Sequence, residues 1–181
     1  PAARQAPRTR RSLKELEGVP VSIVKNREAF LRDIGTLPIS TGKKHLWITR
    51  FKGDFLKACP ATGKDYLCCR YWVLNAQTHC PLDCTYCILQ NYLNVPLITV
   101  YANIGNITRE IDRLISGQPK RLFRMGTGEL TDSLAFDPIT RFNAGLIRHV
   151  LKRKMILEIK TKTDLIGHLP DIPKRNVLIS W

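Results

Sequence analysis

Acidic residues are scarce in this sequence of 181: 15 Asp and Glu stand against 29 Lys and Arg, a formal net charge of +14. The shortage points towards a polyanionic partner. Long apolar runs are also missing. No stretch reaches the roughly 18 residues that a membrane span requires, and the opening PAARQAPRTRR lacks the apolar core of a secretory signal. A cytoplasmic protein is therefore expected. In that reducing setting six cysteines imply metal or redox chemistry rather than disulfides. Methionine is nearly absent: Met125 and Met155 lie deep in the chain, which starts at Pro1. The closing NVLISW reads as a buried strand without a turn after it, so both ends are expected to be cut from a longer protein. What is present, 44% apolar and 24% charged residues, is the balance of a globular domain and excludes a disordered tail.

The basic excess is concentrated before Tyr71. Residues 1–17 are Arg-rich with little apolar content and read as a flexible arm. Within KKHLWITRFKGDFLK, Lys43, Lys44, Arg50 and Lys52 are the expected contacts to the phosphates of a polyanion. Trp47, Phe51 and Phe55 between them could offer faces to bases. The same pattern also fits a strand with a solvated face and buried aromatics.

Periodicity gives an organisation of arm (1–17), a small N-terminal α/β segment (18–70) and an α/β region with a parallel sheet (71–181). Strands are expected at 19–24, 45–51, 71–77, 121–126, 155–160 and 176–181. Helices are expected at 27–34, 107–115, 142–151 and 164–169, with Asp137-Pro138 as a helix start. Strands separated by helical stretches of ten to fifteen residues imply βαβ crossovers, in an open sheet or an incomplete barrel. Ligands of such folds sit at the carboxyl ends of the strands.

The cysteine-rich stretch is itself one ligand short. CPLDCTYC places Cys80, Cys84 and Cys87 on one loop after an expected strand, with Pro81 and Asp83 suited to a turn. Three thiolates would hold three irons of a cubane and leave the fourth open to S-adenosylmethionine, whose reductive cleavage yields a 5′-deoxyadenosyl radical. Two other readings stand beside this one: a structural zinc with His79 or Cys69 as fourth ligand, and three inert cysteines.

CPLDCTYC resembles the radical S-adenosylmethionine superfamily, and the wider CPLDCTYCILQNYLNVPLITVYAN is similar to the spore photoproduct lyase family of DNA repair enzymes. The resemblance runs from about Gly42 to Trp181 and includes LFRMGTGELTDSLAFDPIT, LEIKTKTDLIGHL and VLISW. It implies an incomplete radical-S-adenosylmethionine barrel, with Cys80, Cys84 and Cys87 on a [4Fe-4S] cluster and Tyr86 against the adenosyl group. Gly126 and Gly128 would admit the cofactor's amino group, Glu129 would hydrogen-bond there, and Lys162 and Ser180 would approach its carboxylate. The activity implied is carbon–carbon bond cleavage in a thymine dimer of DNA, with flavodoxin or ferredoxin as electron donor. The chain departs from the family at two positions. Glu129 stands where family members return hydrogen from a cysteine, and Ile88 stands where a tyrosine follows the last cluster cysteine. Cys59, Cys68 and Cys69 are the thiols left over, as hydrogen donors, a second metal site or core residues. Rival readings are a radical enzyme on another substrate and a zinc-stabilised nucleic-acid-binding module.

Overall fold

The computed structural model describes residues 3, 6–60, 69–171 and 175–181. In chain order the elements are α1 (Pro7–Glu15), α2 (Arg27–Gly35), α3 (Ile39–Gly42), β1 (Leu46–Thr49), β2 (Leu56–Ala58), β3 (Trp72–Leu74), β4 (Gln77–Thr78) and α4 (Leu89–Tyr92). They continue with β5 (Ile98–Tyr101), α5 (Gly105–Gly117), β6 (Phe123–Gly126), α6 (Asp137–Thr140), α7 (Phe142–Val150), β7 (Met155–Lys160) and β8 (Val177–Ser180). None of the described helices is long and apolar enough to cross a membrane.

Two compact units are each assembled from two stretches of chain: Pro1–Phe51 with Gln77–Asn103, and Lys52–Ala76 with Ile104–Trp181. The first unit holds a three-stranded sheet in the order β1-β5-β4, parallel between β1 and β5 and antiparallel between β5 and β4. Beside it α2 starts at Asn26, whose side chain accepts from the Ala29 N–H at 3.0 Å, as N-cap residues do.

The second unit holds a five-stranded sheet in the order β2-β3-β6-β7-β8. Its β2 is antiparallel to β3, and every other neighbouring pair is parallel. Alternation along β7 buries Met155, Leu157 and Ile159 completely, against α7 and its buried Phe142, Leu146, Ile147 and Val150. Each such side chain contributes about 1.5–3 kcal/mol. The sheet is open, with β2 and β8 at its edges.

The mixed α/β class and the parallel run of four strands follow the sequence reading. Several details differ. Part of the expected arm is helical: α1 starts on Pro7, whose fixed φ suits a first turn. VPVSIV forms no strand, and its Val19, Val21 and Ile23 stay more than half exposed, because β propensity without a pairing partner does not make a ladder. The segment from Asp164 to Leu169 turns without becoming helical. Asp137 lies inside α6, capped by Phe136, and spends its carboxylate on Asn143 and His168. The expected boundary at 70/71 does not divide the units, because β4 and β5 return to pair beside β1.

Candidate functional site

The three-cysteine loop belongs to the first unit. It leaves β4 through His79, which is 2% exposed, has a positive φ of 58°, and donates from Nε2 to the Val95 carbonyl at 2.9 Å. Burial holds the His79 pKa below its ordinary value; the Val95 bond works against this and the Lys43 charge adds to it. Cys80 is buried, while Cys84 and Cys87 are partly open to solvent, and all three are free thiols. A turn joins the last two, with the Cys87 N–H donating to the Cys84 carbonyl at 3.0 Å. Gln90 Nε2 donates to that same carbonyl at 2.9 Å. Lys43 Nζ donates to the Leu82 carbonyl at 3.0 Å and lies 3.3 Å from Asp83 Oδ1. Among the described residues no three Cys, His, Asp or Glu side chains are grouped so as to hold a metal ion. The donor chemistry fits an iron–sulfur cluster: three soft thiols on one loop whose backbone is tied by Lys43 and Gln90. Tyr86 and Ile88 flank the last cysteine, each 71% exposed.

The second unit gathers the remaining site residues at the carboxyl edge of its parallel strands. Asn75 follows β3 and is 9% exposed; its Nδ2 donates to Glu129 Oε2 at 2.5 Å, while its buried Oδ1 has no hydrogen-bond partner among the described residues. An orphaned buried acceptor is costly unless a ligand supplies the donor. Here it stands beside a carboxylate, a pairing suited to an ammonium group. Lys162 follows β7 with an exposed side chain, and its N–H donates to Asp132 Oδ2 at 2.6 Å. Asp132 also accepts from Leu134 N, Ala135 N and Thr161 Oγ1, each at 2.9 Å.

Ser180 ends β8, and its hydroxyl donates to Glu158 Oε1 at 3.2 Å. Glu158 Oε2 accepts from the Tyr71 hydroxyl at 2.5 Å and lies 3.6 Å from Lys160 Nζ. Burial raises the Glu158 carboxyl, but the Tyr71 bond, the Lys160 charge and the Ser180 bond outweigh it and hold the pKa below the usual value. Burial, reinforced by Glu158, pushes the Tyr71 phenol up, so it remains a donor. Both glycines are accounted for by close packing. A Cβ on Gly126 would collide with the Tyr71 hydroxyl, and one on Gly128 would meet Lys160 Cβ at 2.9 Å and Ser133 Oγ at 3.2 Å.

No family model and no curated protein matches the chain. Solved structures do. A variant of spore photoproduct lyase with dinucleoside spore photoproduct superposes with a TM-score of 0.73 at 18% identity, over 99% of this chain and 53% of that one. The shared fold is that of spore photoproduct lyase. Another variant, with bound AdoMet and dinucleoside spore photoproduct, gives 0.71 at 18% identity, and the complex with dinucleoside spore photoproduct gives 0.70 at 17%, with the same coverage. The chain thus spans about half the length of these lyase structures, and its open sheet corresponds to an unclosed radical-S-adenosylmethionine-type fold.

Beside the spore photoproduct lyase fold, the basic stretch divides by exposure. Lys44, Arg50 and Lys52 are exposed, as a phosphate contact requires, but the Lys43 side chain is only 9% exposed and is committed to the cysteine loop. The aromatics already pack within the chain. Trp47 packs on Phe30 at 5.7 Å between centroids, Phe51 packs on Tyr101 at 4.8 Å, and Phe55 is 1% exposed. Of the leftover thiols, Cys59 extends the β2–β3 pairing, its N–H donating to the Tyr71 carbonyl at 2.9 Å, and Cys69 is exposed. Cys68 lies outside the described residues. Asn75, Asp132, Glu158 and Gln90 carried no motif signal; a polar residue just beyond a strand end is the pattern that would have found Asn75, whereas Glu158 lies inside β7, Gln90 inside α4 and Asp132 six residues past β6.

Proposed function

We propose that this chain is the cofactor-binding part of a radical S-adenosylmethionine enzyme acting on a thymine photolesion in DNA. The observation that carries the reading is the lyase-type fold over 99% of the chain, in a sequence with three free thiols on one loop. Cys80, Cys84 and Cys87 would hold a [4Fe-4S] cluster. When bound, that group supplies the electron that cleaves the sulfonium of S-adenosylmethionine. Asn75 Oδ1 and the Glu129 carboxylate would receive the cofactor's ammonium hydrogens, and the Lys162 ammonium would pair with its carboxylate. Ser180 would act on the same carboxylate after exchanging its bond to Glu158. Tyr86, already in solvent, would cover the adenosyl group. DNA would meet the exposed Lys44, Arg50 and Lys52, and a flavodoxin or ferredoxin would deliver the electron.

The test is mass spectrometry of products after anaerobic reconstitution with iron and sulfide, given cofactor, reductant and dinucleoside spore photoproduct. Cofactor cleavage with thymine release is expected, and alanine at Cys80, Cys84 or Cys87 should abolish both, because three ligands leave none spare. Cleavage retained in all three variants would sink the site assignment. A second reading, the same radical chemistry on another substrate, is favoured by Glu129. A carboxylate held by Asn75 cannot return a hydrogen atom as a thiol does. Cofactor cleavage without thymine release would select it.

A further inference from the structure

We infer that Lys43 is a positioning residue of the iron–sulfur site, tying the stretch between Cys80 and Cys84 and raising the cluster's reduction potential with its charge. The inference rests on the proposed cluster at Cys80, Cys84 and Cys87. Lys43 follows α3, and α3 is seated by a close approach: a Cβ on Gly42 would lie 2.5 Å from the Pro96 carbonyl oxygen and 2.6 Å from Pro96 Cβ. The residue before that proline, Val95, supplies the carbonyl that fixes His79 at the entrance of the cysteine loop. One strap, Val95-Pro96, therefore anchors both the start of the loop and the base of the lysine. From there Lys43 reaches the Leu82 carbonyl and the Asp83 carboxylate, two of the three residues between Cys80 and Cys84.

A lysine side chain with 9% exposure is unusual, since taking an ammonium from water is tolerated only when its hydrogens are used. The counter-charge is uneven. Asp83 is 73% exposed, so solvent screens its carboxylate far more than it screens the buried ammonium. Of the two charges, the ammonium is therefore the less screened. A cluster held by three thiolates is anionic and gains a further negative charge on reduction, so a fixed positive charge favours the reduced form. Lys43 thus has two effects that a surface lysine lacks: it ties a carbonyl between two ligands, and it biases the redox equilibrium.

The experiment uses the whole chain, reconstituted anaerobically with iron and sulfide and followed by electron paramagnetic resonance during electrochemical titration. Lys43→Met keeps most of the length of the side chain and removes its charge, and the carboxylate left behind, Asp83, is 73% exposed and so is not stranded as a buried charge. This variant should bind iron and sulfide but reduce with an affinity lower by tenfold, a shift of about 59 mV to more negative potential for one electron. Lys43→Arg should stay near the wild-type potential, and Asp83→Asn should shift it slightly the other way. A loaded Lys43→Met protein with the wild-type potential would overturn the inference. If Lys43→Met takes up no iron, Lys43→Arg decides: recovery of the cluster at the wild-type potential supports the inference, and failure to recover overturns it. Absence of iron and sulfide from the wild-type chain would instead overturn the proposed function, and this inference with it.

Discussion

At the scale of the residue, Asp132 shows how one carboxylate can set a rim. It is 9% exposed and receives the N–H groups of Leu134, Ala135 and Lys162 together with the Thr161 hydroxyl. It thereby locks the segment after β6 to the end of β7. Removing it leaves buried donors unpaired, at about 1–3 kcal/mol each. Asp132→Ala is therefore expected to lose about 3 kcal/mol or more in urea unfolding, and Asp132→Asn, which keeps the shape, distinctly less. Lys162→Ala should behave in the opposite way, with near-wild-type unfolding but S-adenosylmethionine binding weakened by about 1.5–3 kcal/mol in calorimetry. Equal affinity in Lys162→Ala and wild type would return Lys162 to a surface residue. The letters of the sequence do not separate these roles. Lys43 and Lys44 are adjacent and identical, yet one is buried under a loop and the other stands in solvent.

At the scale of the element, α5 and α7 are joined by Asp112, which accepts from Arg153 Nε at 2.6 Å and lies 3.0 Å from His149 Nε2. Burial raises the Asp112 carboxyl, but the Arg153 bond and the His149 and Arg153 charges outweigh it and leave its pKa below the ordinary 3.8. A carboxylate held low in the fold stabilises fully above its unfolded pKa and loses that contribution as pH falls through the folded value. Asp112 is 46% exposed, so solvent screening limits the contribution to about 1 kcal/mol. Asp112→Asn should accordingly melt a few degrees below wild type at pH 7, by scanning calorimetry, and the gap should close in acid below pH 3.8. A gap that persists unchanged in acid would assign Asp112 a packing role instead. The apolar stripe Ile107 and Ile111 of α5, like the alternation in β7, was legible from periodicity because helix and strand place those residues on one face whatever they pack against. VPVSIV and the segment from Asp164 to Leu169 were misread because short propensity signals need a partner to be realised.

At the scale of the whole molecule, the net charge of +14 governs encounters with a polyanion. If Lys44, Arg50 and Lys52 neutralise phosphates, replacing all three by Ala should reduce the slope of log K against log salt by about 3, at 0.9 per contact. Fluorescence anisotropy of duplex DNA from low to moderate salt measures it. Lys43→Ala should leave the slope unchanged, because its ammonium is spent inside the first unit. A slope insensitive to the triple replacement would make the basic excess a solvated face.

The sequence by itself determined the α/β class and the succession β3-β6-β7-β8, and it sets three cysteines on one loop. These follow from local spacing: period 2 for strands, 3.6 for helices, and crossover lengths that allow only parallel neighbours. The tertiary structure alone decided which polar residues meet at the strand ends. Asn75 and Glu129, Tyr71 and Glu158, and Asp132 and Lys162 are brought together by sheet register and by turns that carry no period. It alone placed β4 and β5 beside β1 and turned Lys43 inward, since pairing and burial depend on contacts between residues far apart in the chain.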